Sequence, residues 1–111
     1  MKTNAVIAII RTDALEQVEA CLQELGIEGV SISQVKGYGE YENFYSQDHM
    51  TVHIRIEIFT AESKAEEVAH CIMKAAHVGQ PDDGIVTISP VHKFYRIRTQ
   101  SEVAYHDGCC D

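Results

Sequence analysis

Residues 4–11 read NAVIAIIR, a β-branched run whose two alternating faces are both apolar. Val6, Ala8 and Ile10 fall on one face, and Ala5, Ile7 and Ile9 on the other. A strand of this kind has to be covered on both sides. What the rest of the chain can supply as cover therefore sets the architecture.

Two helices are available for that purpose. Asp13 followed by Glu16 predicts a capping-box-like start, with acidic residues at the positive end of the helix dipole. Ala14, Val18, Cys21, Leu22 and Leu25 then recur at helical spacing, and Gly26 can close the helix in the left-handed conformation with Ile27 packing back. Ser63 with Glu66 predicts a second capping box. Val68, Ala69, Ile72, Ala75 and Ala76 form the buried face of that helix, and Gly79 with Pro81 ends it.

The strands are read from period-2 patterning. Residues 30–36 predict a second strand, and 51–60 give the clearest one. There Val52, Ile54, Ile56 and Ile58 point one way and His53, Arg55 and Glu57 the other. Residues 85–91 predict a fourth strand that stops near Pro90, followed by a short extended piece over 94–98. Between the second and third strands, YGEYENFYSQDHM (38–50) has no periodicity and reads as a long loop of the kind that is often functional. The last dozen residues carry no pattern and are expected to be mobile.

The order is β-α-β-β-α-β, an α+β ferredoxin-like arrangement with two helices on one face of an antiparallel sheet. Two helices cover only one side, yet the first strand is apolar on both. Self-association over the open face follows as an expectation. At 111 residues and 12.4 kDa the chain is a single domain, taken here as 1–102 with a flexible C-terminal tail at 103–111.

Charge excludes one class of function. With 9 Lys+Arg against 17 Asp+Glu the net charge is −8, which argues against a protein that tracks nucleic-acid phosphates. The longest apolar stretch, 5–10, is far below the ~20 residues that span a bilayer. No small-residue cleavage site follows the N-terminus, and the four cysteines do not look like a secreted disulfide framework. Cys21 and Cys71 read as core residues, and a cytoplasmic location is expected.

Three segments could bind an anion. In Lys36-Gly37-Tyr38-Gly39 the glycines permit close backbone approach, although the same pair serves a plain strand exit. Asp82-Asp83-Gly84 is either a second binding loop or simply a tight turn. Arg96 and Arg98, placed i and i+2 on a predicted strand, would share a face and suit a phosphate or carboxylate. With Lys93 they concentrate basic charge in an acidic chain; the plainer reading is a solvated edge. No Walker loop, H-E-x-x-H helix or nucleophile–base spacing is present, so an enzyme is not expected.

Taken together, the element order and several segments resemble the PII nitrogen-regulatory signalling proteins. The segments are VKGYG (35–39), RIEIFT (55–60), AAHVG (75–79), DDGIVTI (82–88) and RIRT (96–99). The resemblance covers roughly residues 4–102. It implies a cytoplasmic homotrimer with sheets facing inward and adenine nucleotides bound in clefts between subunits. By position, Ser31, Gly37, Tyr38 and Gly39 would lie at the base of the signalling loop. Asp82, Asp83, Gly84 and Ile85 would form the second loop, and Arg96 and Arg98 would reach in from the neighbour. The loop 38–50, with Tyr41, Phe44 and Tyr45, would meet a partner protein such as a membrane transporter or a metabolic enzyme.

The departures from that pattern shape the expected ligand. Ile85 stands where the family carries a phosphate-binding lysine, Glu40 where it usually carries an arginine, and Asp82 in place of a glycine. Tyr41 replaces the glutamine used with Mg-ATP and 2-oxoglutarate, the signalling loop is several residues short, and no tyrosine matches the usual uridylylation context. Lost cations and added carboxylates disfavour a triphosphate. They favour ADP, AMP or cyclic AMP ahead of Mg-ATP, with bicarbonate as a possible co-effector.

The alternative function is a metal-handling trimer similar to the CutA divalent-cation-tolerance proteins. Its candidate ligands are His106, Cys109 and Cys110 in the tail, which could also be a redox element; the plainer reading is an inert tail. His49 and His53 would lie about 13 Å apart on a strand, and His70 and His77 about 10 Å apart on a helix. Neither pair could chelate one ion.

Overall fold

The computed structural model describes residues 2–37 and 51–103. β1 (Thr3–Arg11) leads through a 3-10 turn (Thr12–Ala14) into α1 (Leu15–Glu24), and β2 (Ser31–Gly37) follows. After β3 (Thr51–Ala61) come α2 (Glu62–Ala76), β4 (Gly84–Val91), β5 (Tyr95–Arg96) and β6 (Ser101–Glu102). The main sheet has four antiparallel strands in the order β2-β3-β1-β4, which is the ferredoxin-like arrangement.

Register explains how the doubly apolar strand is housed. Val6 pairs with Ile58, Ala8 with Ile56 and Ile10 with Ile54, all buried on the face that the helices cover. Val18 and Leu22 of α1 and Val68 and Ile72 of α2 complete that core. The opposite face carries Ile7 and Ile9 of β1, Ile85 of β4, Phe59 of β3 and the polar row His53, Arg55 and Glu57. Ile85 is 60% exposed and Phe59 39%, so one chain leaves this face largely open, with Phe94 packed edge-on against Phe59 at one end.

The end of α1 forms as expected. Gly26 has φ +79°, its N–H donates to the Gln23 carbonyl at 3.0 Å, and the Ile27 N–H donates to Leu22 at 3.0 Å. The helix starts differ from expectation. Asp13 makes no cap; its carboxylate pairs with Arg11. α2 begins at Glu62 with Ala61 at the N-cap and no side-chain cap there, so Ser63 already lies inside the first turn. The Glu62 N–H is instead bonded to the Lys2 carbonyl at 2.9 Å.

β4 runs through Pro90 to Val91 as expected, which an edge strand tolerates because the missing N–H can face outward. Two further corrections concern the second half and the cysteines. The piece expected to be extended over 94–98 is strand only at Tyr95–Arg96; the chain then turns back and β6 pairs with β5. Gln100 takes a positive φ of 55° to make that reversal. Cys21 and Cys71 do sit in and against the core, but they are also disulfide-bonded to each other, joining α1 to α2.

Candidate functional site

The strand ends gather five of the expected site residues, Gly37 and Asp82–Ile85, at one pole of the sheet. Gly37 closes β2 opposite Thr51, Gly84 opens β4 opposite Ile10, and Arg11 closes β1 opposite His53. The Asp82–Ile85 segment thus lies at the same pole as the exit into residues 38–50, on the opposite edge of the sheet with β3 and β1 between. Ser31 does not: it pairs with Glu57 at the other end of β2, about 20 Å from Gly37 at ~3.3 Å per residue. The expectation that it sits at the loop base is corrected by that register.

Arg11 organises this pole, and sequence reasoning passed over it. Its Nη1 donates to both Asp82 carboxylate oxygens at 3.1 and 3.0 Å. Nε and Nη2 donate to the two Asp13 oxygens at 3.0 and 2.9 Å, a bidentate fork. The hydrogen bonds to Asp13, with the charge of Asp82, hold the guanidinium protonated more firmly than usual, against some desolvation. The same fork keeps the Asp13 carboxyl below its ordinary value. The i to i+2 spacing of Arg11 and Asp13 was visible in the sequence, whereas the contact with Asp82 spans 71 residues and had no local signal.

Asp83 has a structural task. Its carboxylate accepts the N–H groups of Val78, Gly79 and Gln80 at 3.2, 2.9 and 3.4 Å, with His77 Nδ1 at 3.4 Å. Desolvation raises its pKa, but those three N–H groups and His77 outweigh it and leave the carboxyl below its usual value. The Asp83 N–H donates to the Gln80 carbonyl at 3.1 Å, closing a turn with Pro81 at its second position. His53 Nε2 lies 3.3 Å from the Asp82 carbonyl oxygen and so braces the same turn from β3.

The two described glycines of the site differ in kind. Gly84 has φ +116°, and a Cβ there would lie 1.8 Å from the Ile9 carbonyl oxygen. Only glycine fits, because β4 meets β1 at that point. Gly37 meets nothing within 4 Å of an added Cβ, so the described fold places no demand for glycine there. A cleft of about 240 Å³ opens between the end of α2 and β4, lined by Ile72, Met73, His77 and Ile85.

Arg96 and Arg98 lie elsewhere. β4 delivers the chain to the Thr3 end of β1, where Val91 pairs with Thr3, and the β5–β6 hairpin leaves from there. That end is roughly 23 Å from the Gly84 end along β1. The two arginines also do not share a strand face, because Arg98 falls in the turn beyond β5. Lys2, His92, Lys93 and Glu102 surround a second cleft of about 270 Å³ at this pole.

Tyr38, Gly39, Glu40, Tyr41, Phe44, Tyr45, His49, His106, Cys109 and Cys110 lie outside the described residues. Among the described residues no three His, Cys, Asp or Glu side chains converge as a metal set. No helix among them is long and apolar enough to cross a membrane.

Comparison with known proteins agrees with this architecture. The family model described as Nitrogen regulatory protein P-II matches residues 3–101. The chain is 32% identical over 100 residues to the nitrogen regulatory protein P-II of Azospirillum brasilense, covering 83% of this chain and 88% of that one. It is 36% identical over 101 residues to the nitrogen regulatory protein GlnK2 of Haloferax mediterranei, covering 85% and 82%. A crystal structure of Arabidopsis thaliana PII bound to citrate superposes with a TM-score of 0.78 at 32% identity, covering 91% of this chain and 88% of that one. A shared sheet, shared helices and a match running from β1 to β6 place the chain in the P-II nitrogen regulatory protein family.

Proposed function

We propose that this chain is the subunit of a homotrimeric P-II-type sensor whose open sheet faces pack inward. It binds a small anionic effector between subunits, regulates a partner protein and catalyses no reaction. Residues 1–102 form the sensing domain and 103–111 a tail, and the protein works in the cytoplasm. The observation that carries this reading is the register of β1 with β4. Gly37 and the Asp82–Ile85 segment stand at one pole, and the hairpin bearing Arg96 and Arg98 at the other, so a single chain cannot close a site from both. A neighbour packed on the half-exposed face of Ile7, Ile9, Phe59 and Ile85 supplies the missing half.

The charge at the loop pole supports a modestly charged effector. Arg11 is already shared between Asp13 and Asp82, Asp83 adds a further carboxylate, and Ile85 offers an apolar surface where a cation would serve a triphosphate. ADP, AMP or cyclic AMP therefore suits the site better than Mg-ATP, and bicarbonate is small enough to accompany it. Occupancy is passed to the partner, a transporter or a metabolic enzyme, through residues 38–50, with Tyr41, Phe44 and Tyr45 as the contacting aromatics.

Replacing Arg96 and Arg98 together by alanine tests the assignment. Calorimetric binding of the preferred nucleotide is expected to vanish while sedimentation still reports a trimer. Unchanged affinity would remove both arginines from the site, and a wild-type monomer would remove the assembly.

A further inference from the structure

The helix layer carries a covalent feature that the signalling site does not use. Cys21 of α1 and Cys71 of α2 are bonded across the layer with Cα atoms 6.1 Å apart, within the normal range for a bridge. They are 50 residues apart in sequence, so the approach is created by helix packing alone. That packing has its own supports. Val18 and Leu22 meet Val68 and Ile72 in the core, and Lys64 of α2 donates to the Leu25 carbonyl at the end of α1 at 2.8 Å. Leu25 lies four residues after Cys21 and Lys64 seven before Cys71, so the helices run antiparallel in a register that does not need the sulfur bond.

The two sulfurs differ in access. Cys71 is only 8% exposed, whereas Cys21 is half-buried at the rim of the layer. A small reagent reaches the pair from the Cys21 side.

We infer that Cys21 and Cys71 form a reversible thiol–disulfide site that exchanges with low-molecular-weight thiols and disulfides and sets the stability of the helix layer. In the oxidising direction the Cys21 thiolate attacks a small disulfide RSSR, forming a mixed disulfide and releasing one RS⁻. The Cys71 thiolate then attacks the Cys21 sulfur and expels the second RS⁻. The two released thiolates take up the two protons that the cysteines gave up, so RSSR is reduced to two RSH as the bridge forms. Two RSH reverse it, beginning at Cys21. Because the helix register persists in the reduced state, the thiols stay adjacent and the bridge re-forms within the chain. α2 ends five residues beyond Cys71 and leads directly into the His77–Asp83 turn, so the tie also braces the element that carries that turn.

The test uses the native full chain in glutathione buffers of graded oxidised-to-reduced ratio, quenched by alkylation and digested with trypsin. Cys21 and Cys71 fall in separate peptides, 12–36 and 65–74, so their cross-link is read directly and is not confused with Cys109 or Cys110. The expected result is a cross-linked pair of peptides in oxidised buffer, its complete loss in excess reduced glutathione without denaturant, and its return on reoxidation. Reduction is expected to lower the thermal midpoint by roughly 10 °C or more. In Cys71→Ser the Cys21 peptide gains glutathione, whereas in Cys21→Ser the buried Cys71 peptide gains it far more slowly. Absence of the cross-link at every ratio, or its reduction only under denaturing conditions, would overturn the inference.

Discussion

Gly84→Ala is the most searching single substitution, because it separates a glycine required by the fold from one that serves a ligand. At φ +116° the residue occupies a region that side chains rarely enter, at a cost of about 1–3 kcal/mol. The new Cβ would also stand 1.8 Å from the Ile9 oxygen and 2.9 Å from its carbonyl carbon. Backbone is on both sides, so relief requires β4 to withdraw from β1 by about 1 Å. That weakens the Ile10–Gly84 end of the ladder, where each hydrogen bond contributes about 1 kcal/mol. With one or two of those bonds lost the sum is about 2–5 kcal/mol, a large part of the ~5–15 kcal/mol that holds a domain together. Urea unfolding followed by far-ultraviolet circular dichroism, at one fixed protomer concentration, reads this as a midpoint lowered by about 1–3 M. A midpoint within about 0.5 M of wild type would refute the steric argument and leave Gly84 as a residue kept for a ligand.

Four further outcomes follow from the same structure. Gly37→Ala should leave the urea midpoint unchanged, since nothing lies within 4 Å of the added Cβ, while weakening nucleotide binding by calorimetry; a lowered midpoint would show that the glycine is structural. Ile56→Ala, at a fully buried position of β3, should cost about 2–5 kcal/mol in the same unfolding assay. Asp83→Asn should flatten the acid limb of the stability–pH curve. The native Asp83 carboxyl lies below its unfolded value, so its contribution is full above about pH 4 and is lost as pH falls through the depressed native value; an unchanged acid limb would contradict this. Arg11→Met should free Asp82 and raise amide exchange in residues 80–84, and unaltered exchange would show that the ion pair does not hold the turn.

Much of the fold was legible because its elements are long and strongly periodic. β1 is a nine-residue strand dominated by an apolar, β-branched run, β3 alternates with period two through residues 52–58, and the buried stripes of α1 and α2 recur at helical spacing. The helix starts were not legible, because a capping carboxylate is available to any nearby donor and Arg11 takes Asp13 first. Two-residue strands such as Tyr95–Arg96 and Ser101–Glu102 carry no period at all, so the hairpin that displaces Arg98 left no trace in the pattern.

The site divides in the same way. Gly84 and the Asp82-Asp83 turn could be located from residue type, but not the reasons for them. Asp83 serves three backbone N–H groups and Asp82 serves Arg11, both through chain geometry that composition does not encode. The Cys21–Cys71 bridge was hidden for a related reason: each cysteine fits its own helix stripe, and only the antiparallel register of the two helices brings them together.

The central claim is that the chain is a working effector sensor, and direct binding tests it. The measurement is isothermal titration calorimetry of the purified assembly with ATP, ADP, AMP and cyclic AMP, each with and without bicarbonate. Micromolar binding of ADP, AMP or cyclic AMP, tighter than that of Mg-ATP and approaching one site per subunit, is the predicted result. No heat of binding across the whole panel, from a protein that is folded and trimeric, would contradict it.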